Sequence, residues 1–386
     1  MIRLLVDGVF FQLNSTGIAR VWRTVLTLMA QEGRLAVHLL DRGGAPDIDG
    51  INRIPFRPYD EARGSAEDSQ AIQEVCDRFG IDVFTSSYYT TPLSTPMLLV
   101  VYDMIPELFA YDLRHRPWME KQIAISFSQR FLCISEKTRT DLLAVYPEIP
   151  ASRAVTAYCG VDVETFRERS REEIEAFRAK YALHRDYFLF VGSRGPRGNY
   201  KNSWLFFEAL QHAGERAFDI LCVGGEAEIE PAVLDMLPDD VTCRRVGLSD
   251  DELATAYGDA VALIYPSLYE GFGMPVVEAM ASGCPVITTN HGSLAEAAGD
   301  AALLVGGQSV DEMRAALARI RDPDVQRSLR ERGLRQARNF CWSNMARQLE
   351  KELLKLAEES RGERFRHFFD EWRALRLAQA QCDRSS

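Results

Sequence analysis

Two glutamates offer the first chemistry in this chain. In SLYEGFGMPVVEAMASGCPV (267–286), Glu270 and Glu278 stand eight residues apart, with Gly271, Gly273 and Pro275 between them. On one continuous surface helix both carboxylates would simply be solvated. The neighbouring residues argue otherwise. AVALIYPS (260–267) reads as a strand, and the two glycines permit a tight turn and close ligand approach. Pro275 suits a first helical turn, where its missing N–H has no partner to lose. Gly283 stops the helix, and PVITTN (285–290) starts another strand. Amides near Gly273 and Met274 then form an anion site at a strand's carboxyl end, by geometry and helix dipole. Glu270 is expected in the loop and Glu278 in the first helical turn. Alone, Glu278 would be a helix-dipole partner worth about 0.3–1 kcal/mol, and Glu270 a carboxylate in water. Together, either side of a glycine turn, they frame a site.

Three other stretches hold residues suited to the same chemistry. SRGPRGNYKN (193–202) follows a strand and carries Arg194, Arg197 and Lys201; outside a site it would be a solvated basic loop. NSTGIARVW (14–22) follows the first strand, and amides of the helix beginning after Gly17 would complete a phosphate cradle. Thr16 there is otherwise an N-cap worth about 1 kcal/mol, and Arg20 either a phosphate or acceptor contact or a surface arginine. VYDMIPE (101–107) ends a strand with Tyr102 and Asp103.

The elements that must position these residues alternate in type. IRLLVD (2–7), LAVHLL (35–40), IDVFTS (81–86), MLLVVYD (97–103) and RFLCIS (130–135) read as strands, with helical patterns over 16–33 and 135–147, the latter opened by an S-x-x-T cap. The pattern breaks at the charged connection 159–186. It resumes with YFLFVG (187–192), DILCVGG (219–225), VTCRRVG (241–247), 260–267, 285–290 and ALLV (302–305). Strands alternating with helices predict mostly parallel, covered sheets. The expected division is 1–170, 171–345 and a helical tail 346–386 packing back on the first domain. Two such α/β domains leave a cleft, with ligands at the carboxyl ends of the strands.

Composition narrows the partners. A net charge of −11 argues against nucleic acid, and it requires any phosphate site to be a local cationic pocket. Eight cysteines without a CxxC pair predict reduced thiols in the cytoplasm. The start MIRLLVDGVFF has neither a signal-peptide run nor a spanning length, in keeping with that location. The six histidines show no ligand spacing, and the D-x-D at 47–49 lies in a turn-rich loop, so no metal is expected. No GxGxxG follows the first strand, against a nicotinamide enzyme. Ser293 and Glu296 form the pattern of a capping box. In the tail, Phe365, Phe368, Phe369, Trp372 and Leu375 share one helical face. That face suits packing on the protein's own surface or a sister subunit. The flanking Arg364, Arg366, Arg373 and Arg376 make peripheral membrane contact the alternative.

YEGFGMPVVEAMASGCPVITTNHGSLAEAAGDAALLV (269–305) resembles the C-terminal signature of the GT4 retaining glycosyltransferases, with the E-x7-E spacing at Glu270 and Glu278. CISEKTRTDLL, YCGVDVETF, YFLFVGS and NFCWSNMA also have counterparts there, so the resemblance covers nearly the whole chain. It implies a GT-B fold of two Rossmann-like doubly wound domains. The implied reaction moves a sugar from a nucleotide-diphosphate sugar to a saccharide or lipid-linked glycan, without metal or a cofactor beyond the donor. GDP-mannose in bacterial surface-polysaccharide assembly is the favoured pairing. By the same resemblance Glu278 accepts hydrogen bonds from ribose hydroxyls and Glu270 holds a donor-sugar hydroxyl. Amides of Gly273 and Met274, in a donor-binding turn with Gly271 and Phe272, support sugar or phosphate oxygens, and Gly17 joins them. Lys201 matches the lysine of the family's diphosphate-neutralising Arg-Lys pair, but Tyr200 stands where the arginine would be. Either Arg194 or Arg197 then supplies the second charge. Many relatives have His-Asp where this chain has Tyr102-Asp103, which leaves Asp103 as the acidic catalytic candidate beside Glu270 and Lys201. A front-face departure, with the leaving diphosphate taking the acceptor's proton, is the implied route to retention. The acceptor pocket falls to residues 41–70 and 105–125. Two alternatives remain: an epimerase or hydrolase on the same fold, and a non-catalytic partner subunit, the latter favoured by Tyr102 and Tyr200.

Overall fold

The computed structural model of the chain describes residues 1–14, 17–211, 218–360 and 365–385. Contacts divide the chain into two units, Met1–Tyr158 with Trp342–Ser386, and Cys159–Cys341. The connection 159–186 thus goes wholly with the second unit, twelve residues ahead of the division expected after 170. Its helix Arg171–Lys180, capped by a Ser170–Glu173 box, packs on the helix Asp250–Asp259.

The first unit contains β1 (Ile2–Asp7), β2 (Leu35–Asp41), β3 (Asn52–Pro55), β4 (Val83–Ser86), β5 (Leu98–Val101), β6 (Arg130–Cys133) and β7 (Ala154–Thr156). They run β3-β2-β1-β4 and β5-β6-β7, with a parallel bridge, Phe84 to Met97, joining the two sets. The second unit holds β8 (Tyr187–Val191), β9 (Asp219–Val223), β10 (Thr242–Val246), β11 (Ala262–Tyr265), β12 (Val286–Thr289) and β13 (Leu303–Val305), in the order β10-β9-β8-β11-β12-β13. All pairings are parallel. Helices cover such sheets on both faces, which is why β4, β5, β6, β9, β11 and β12 read as unbroken buried runs rather than alternating ones.

The tail belongs to the first unit. Trp342–Glu359 packs on the helix Ile18–Glu32, and Arg366–Ser385 on the helix Ser65–Phe79. Phe127 gathers the tail's aromatic face, with ring centroids at 6.1 Å to Phe368, 6.0 Å to Phe369 and 5.3 Å to Trp372. That face packs in part on the chain itself: Phe369 is buried, and Phe365, Phe368 and Trp372 are half-buried. Two residues depart from the expected helical face: Leu375 is exposed, and Arg376 is buried with its guanidinium donating to Ser65 and Ser69.

Candidate active site

In the second unit the strand order reverses between β8 and β11, which are hydrogen-bonded neighbours. Doubly wound sheets bind ligands outside the carboxyl ends of the strands at such a switch point. The two loops that leave there are the ones the sequence singles out: 192–202 after β8 and 266–273 after β11.

A charge pair joins them. The Lys201 ammonium donates to Glu270 Oε1 at 2.8 Å and approaches Oε2 at 3.1 Å, with the side chains 20% and 11% exposed. The Tyr200 and Tyr265 rings flank it, with centroids 5.2 and 5.8 Å from Nζ. Burial works against the lysine's charge, but Glu270 and then the two tyrosines outweigh it and raise its pKa. The Tyr265 phenol is pushed up by burial first and by Glu270 second. At neutral pH Lys201 is therefore an ammonium beside a neutral Tyr265 phenol.

The β11 loop is held by side chains from its surroundings. The carbonyls of Tyr265, Pro266, Ser267 and Glu270 accept hydrogen bonds from Thr288 Oγ1 (2.7 Å), Asn202 Nδ2 (3.1 Å), Thr289 Oγ1 (2.5 Å) and Ser293 Oγ (2.7 Å). The Leu268 amide donates to the Tyr200 carbonyl at 2.7 Å, tying the loops to each other. Ser293 is thus engaged with Glu270, not with Glu296: its side chain makes no cap hydrogen bond, and the expected capping box does not form. The set of side chains that holds these carbonyls was invisible in sequence, although the ITTN end of β12 and the HGS turn after it supply most of it.

The helix after the loop is Met274–Ala281, starting one residue before Pro275, with Gly273 as left-handed N-cap at φ 98°. A Cβ on Gly273 would lie 2.7 Å from Leu294 Cδ2, so glycine is required twice over, by conformation and by space. Amides of the first turn have no acceptor within the helix. Glu278 is the fifth helical residue and buried; the first turn holds no acidic residue, so the expected first-turn place is corrected to the second. Phe272 is a packing residue, 5.2 Å and edge-on from Phe340, and Gly271 precedes it in the turn. His291 turns its Nε2 to the Gly306 carbonyl at 2.8 Å.

The loop after β8 is built around Glu226. Its carboxylate accepts from Ser193 Oγ (2.5 Å) and from the amides of Arg194 (2.7 Å) and Gly195 (3.2 Å). Burial would raise its pKa; these donors overcome that and hold it at about 2. The buried Arg194 guanidinium is turned inward to the carbonyls of Gly224, Glu226 and Glu228. Arg197 reaches Glu208 at 2.6 Å and lies over the Trp204 ring. Each of the two arginines proposed as the second charge is thus bonded elsewhere, while Lys201 is the one brought to Glu270.

The remaining sequence-selected residues lie in the first unit. Gly17 is the N-cap of Ile18–Glu32 at φ 54°; Thr16 lies outside the described residues. Asp103 Oδ1 accepts the Ile105 amide at 3.0 Å and stands 3.7 Å from Lys121 Nζ. The Tyr102 hydroxyl accepts from Trp22 Nε1 at 2.5 Å and faces the Ser87 carbonyl at 3.4 Å. A buried network that sequence reading missed ties strand ends together there: Arg42 after β2 bridges Asp7, at the end of β1, and Asp68, at 2.8 and 2.6 Å.

Comparison with known proteins follows the same division. A family described as glycosyl transferases group 1 matches residues 185–322, and glycosyltransferase family 4 matches residues 15–165. The O-antigen chain mannosyltransferase B of Escherichia coli is 30% identical over 240 residues, 60% of this chain and 62% of that protein. The MMP alpha-(1->4)-mannosyltransferase of Mycolicibacterium hassiacum is 43% identical over 114 residues, 28% of each chain. The chain thus spans less than two thirds of the length of these curated relatives. A solved sucrose-phosphate synthase from Thermosynechococcus elongatus has a TM-score of 0.73 at 18% identity, covering 92% of this chain and 99% of that one. At that identity the likeness is one of fold, the GT-B fold.

Proposed function

Because the chain belongs to glycosyltransferase family 4, we propose that it is a retaining enzyme that moves a sugar from a nucleoside-diphosphate sugar to a saccharide or lipid-linked glycan. The observation that carries this reading is the Lys201–Glu270 pair, formed between the two loops at the switch point of the second unit. A departing diphosphate gains negative charge, and a preorganised ammonium with first-turn amides at Gly273 and Met274 stabilises it in the transition state. That cationic provision is why we read the transfer as metal-independent. Glu270 holds a donor-sugar hydroxyl, Glu278 the ribose, and Asp103 is the acidic catalytic candidate of the first unit. Positioning and charge stabilisation supply most of the rate, with the leaving diphosphate taking the acceptor's proton on the front face. The mannosyltransferase names of the relatives favour GDP-mannose as donor, in polysaccharide assembly. We place the enzyme in the cytoplasm, at the membrane's inner face. Among the described residues no helix is long and apolar enough to cross a membrane.

The test is a thermal-shift screen of nucleoside diphosphates and their sugars, followed by transfer assays with NMR assignment of the product anomer. Ligand at 100 times its dissociation constant stabilises by about 2.7 kcal/mol, and GDP-mannose is expected to give the largest shift and an anomer of retained configuration. Absence of any nucleotide-dependent shift refutes the reading. Donor breakdown that needs no acceptor would instead identify a hydrolase or epimerase, and binding without turnover a non-catalytic subunit.

A further inference from the structure

Lys201 carries its charge on a flexible four-carbon stem with many rotamers. The arginine that the family resemblance expects beside it is Tyr200 here. Arg194 and Arg197 are occupied with backbone carbonyls and with Glu208. With neither arginine beside it, the aim of the ammonium rests on Glu270 and on whatever else packs against it. Two ring faces stand where that support is needed, at 5.2 Å for Tyr200 and 5.8 Å for Tyr265. A cation within about 6 Å of a ring centroid is attracted by the ring's negative face.

Both rings sit on anchored backbone. Tyr265 ends β11, is 5% exposed, and its carbonyl accepts from Thr288. The Tyr200 carbonyl accepts the Leu268 amide. Each ring is thus fixed to the loop that carries Glu270. The carboxylate and the Tyr265 hydroxyl hold one side of the ammonium and the rings flank it, while the lysine side chain stays 20% exposed, which leaves it open to a ligand. Tyrosine adds no charge, so the pair stays formally neutral, and attraction for an anion comes from a directed N–H instead of a surplus of positive charge.

We infer that Tyr200 and Tyr265 are positioning residues that hold the Lys201 ammonium between two ring faces and aim it at a diphosphate, doing by geometry what a neighbouring arginine would do by charge. This rests on the donor-diphosphate reading above. The test is calorimetry on the full chain with GDP and UDP, using guanosine and uridine as charge-free controls. Tyr200→Leu and Tyr265→Leu are each expected to weaken binding of the preferred diphosphate about fivefold. Tyr200→Phe restores it to within about twofold, because the ring face is kept, whereas Tyr265→Phe restores it only in part, because it loses the hydroxyl that bonds Glu270 and Lys201. Nucleoside binding stays unchanged throughout, and donor KM rises in the leucine variants. Leucine variants that bind the diphosphate like wild type, while Lys201→Ala does not, overturn the inference and leave the donor reading standing. Equal loss of nucleoside and diphosphate affinity also overturns it, since that marks general loop damage. If wild type binds neither diphosphate, or Lys201→Ala binds it unchanged, the donor reading itself fails. Tyr200→Leu, at a half-buried loop position, carries the test should Tyr265→Leu not fold.

Discussion

Lys201→Ala separates the two roles of the charge pair. At about 3 Å and an effective dielectric of about 20, a unit pair attracts by about 5–6 kcal/mol before dehydration is counted. Dehydration offsets most of this, and breaking a fully buried pair by removing one partner costs about 3–5 kcal/mol. Here the lysine is 20% and the glutamate 11% exposed, so water reaches the stranded carboxylate and the expected loss of stability falls to about 2 kcal/mol. Binding should suffer more specifically. A charge-assisted hydrogen bond contributes about 1.5–3 kcal/mol, so diphosphate affinity drops by about 10–150-fold, and the unpaired Glu270 adds repulsion. Glu270→Gln acts in the opposite sense on binding: the ammonium loses its competitor, bare diphosphate binds as well or better, and sugar transfer still falls. Urea denaturation gives the first quantity and calorimetry the second. Diphosphate binding by Lys201→Ala within about threefold of wild type would refute the reasoning, because an ammonium that meets no phosphate cannot stabilise one.

Gly273→Ala must place a Cβ 2.7 Å from Leu294 Cδ2 at φ 98°; a loss of about 2 kcal/mol in thermal unfolding and weaker donor binding are expected. Ser293→Ala leaves the Glu270 carbonyl without its 2.7 Å donor. It should cost about 1–2 kcal/mol and lower kcat more than it raises KM, readable in steady-state kinetics. Glu226, with an ordinary value of 4.5 brought down to about 2, is a depressed carboxylate. Its stabilisation of the 193–195 turn is therefore fully present above pH 4.5 and lost as pH falls toward 2. Amide exchange at Arg194 and Gly195 should lose protection across that window, and Glu226→Gln should remove the pH dependence.

The fold was legible because buried parallel strands write themselves as unbroken apolar runs, and β11 and β12 are such runs. The glycine turn and Pro275 marked the helix start to within one residue. Lys201 and Glu270 were each legible as types in loops after strands, but their contact was not. It depends on β8 and β11 lying side by side although 70 residues of chain and two other strands separate them. The direction of Arg194 was equally hidden, since it is set by carbonyls at Gly224, Glu226 and Glu228 on the loop after β9. Glu278 was misplaced by one position for a local reason: beginning the helix at Met274 adds a residue ahead of it and moves it out of the first turn.

The carbonyl clamp explains why this loop can hold a charge in place at all. A loop at a strand's end has backbone acceptors that the sheet no longer satisfies, and water would ordinarily take them. Here Thr288, Thr289, Asn202 and Ser293 take four of them between Tyr265 and Glu270. Three of these donors come from β12 and the turn after it, an element that contributes no charged group to the pair. Geometry within about 0.5 Å is what a catalytic constellation needs from its supporting residues. The neutral hydroxyls of the neighbouring strand end therefore matter to the chemistry as much as the charged side chains they surround, because they fix the backbone from which Glu270 reaches Lys201.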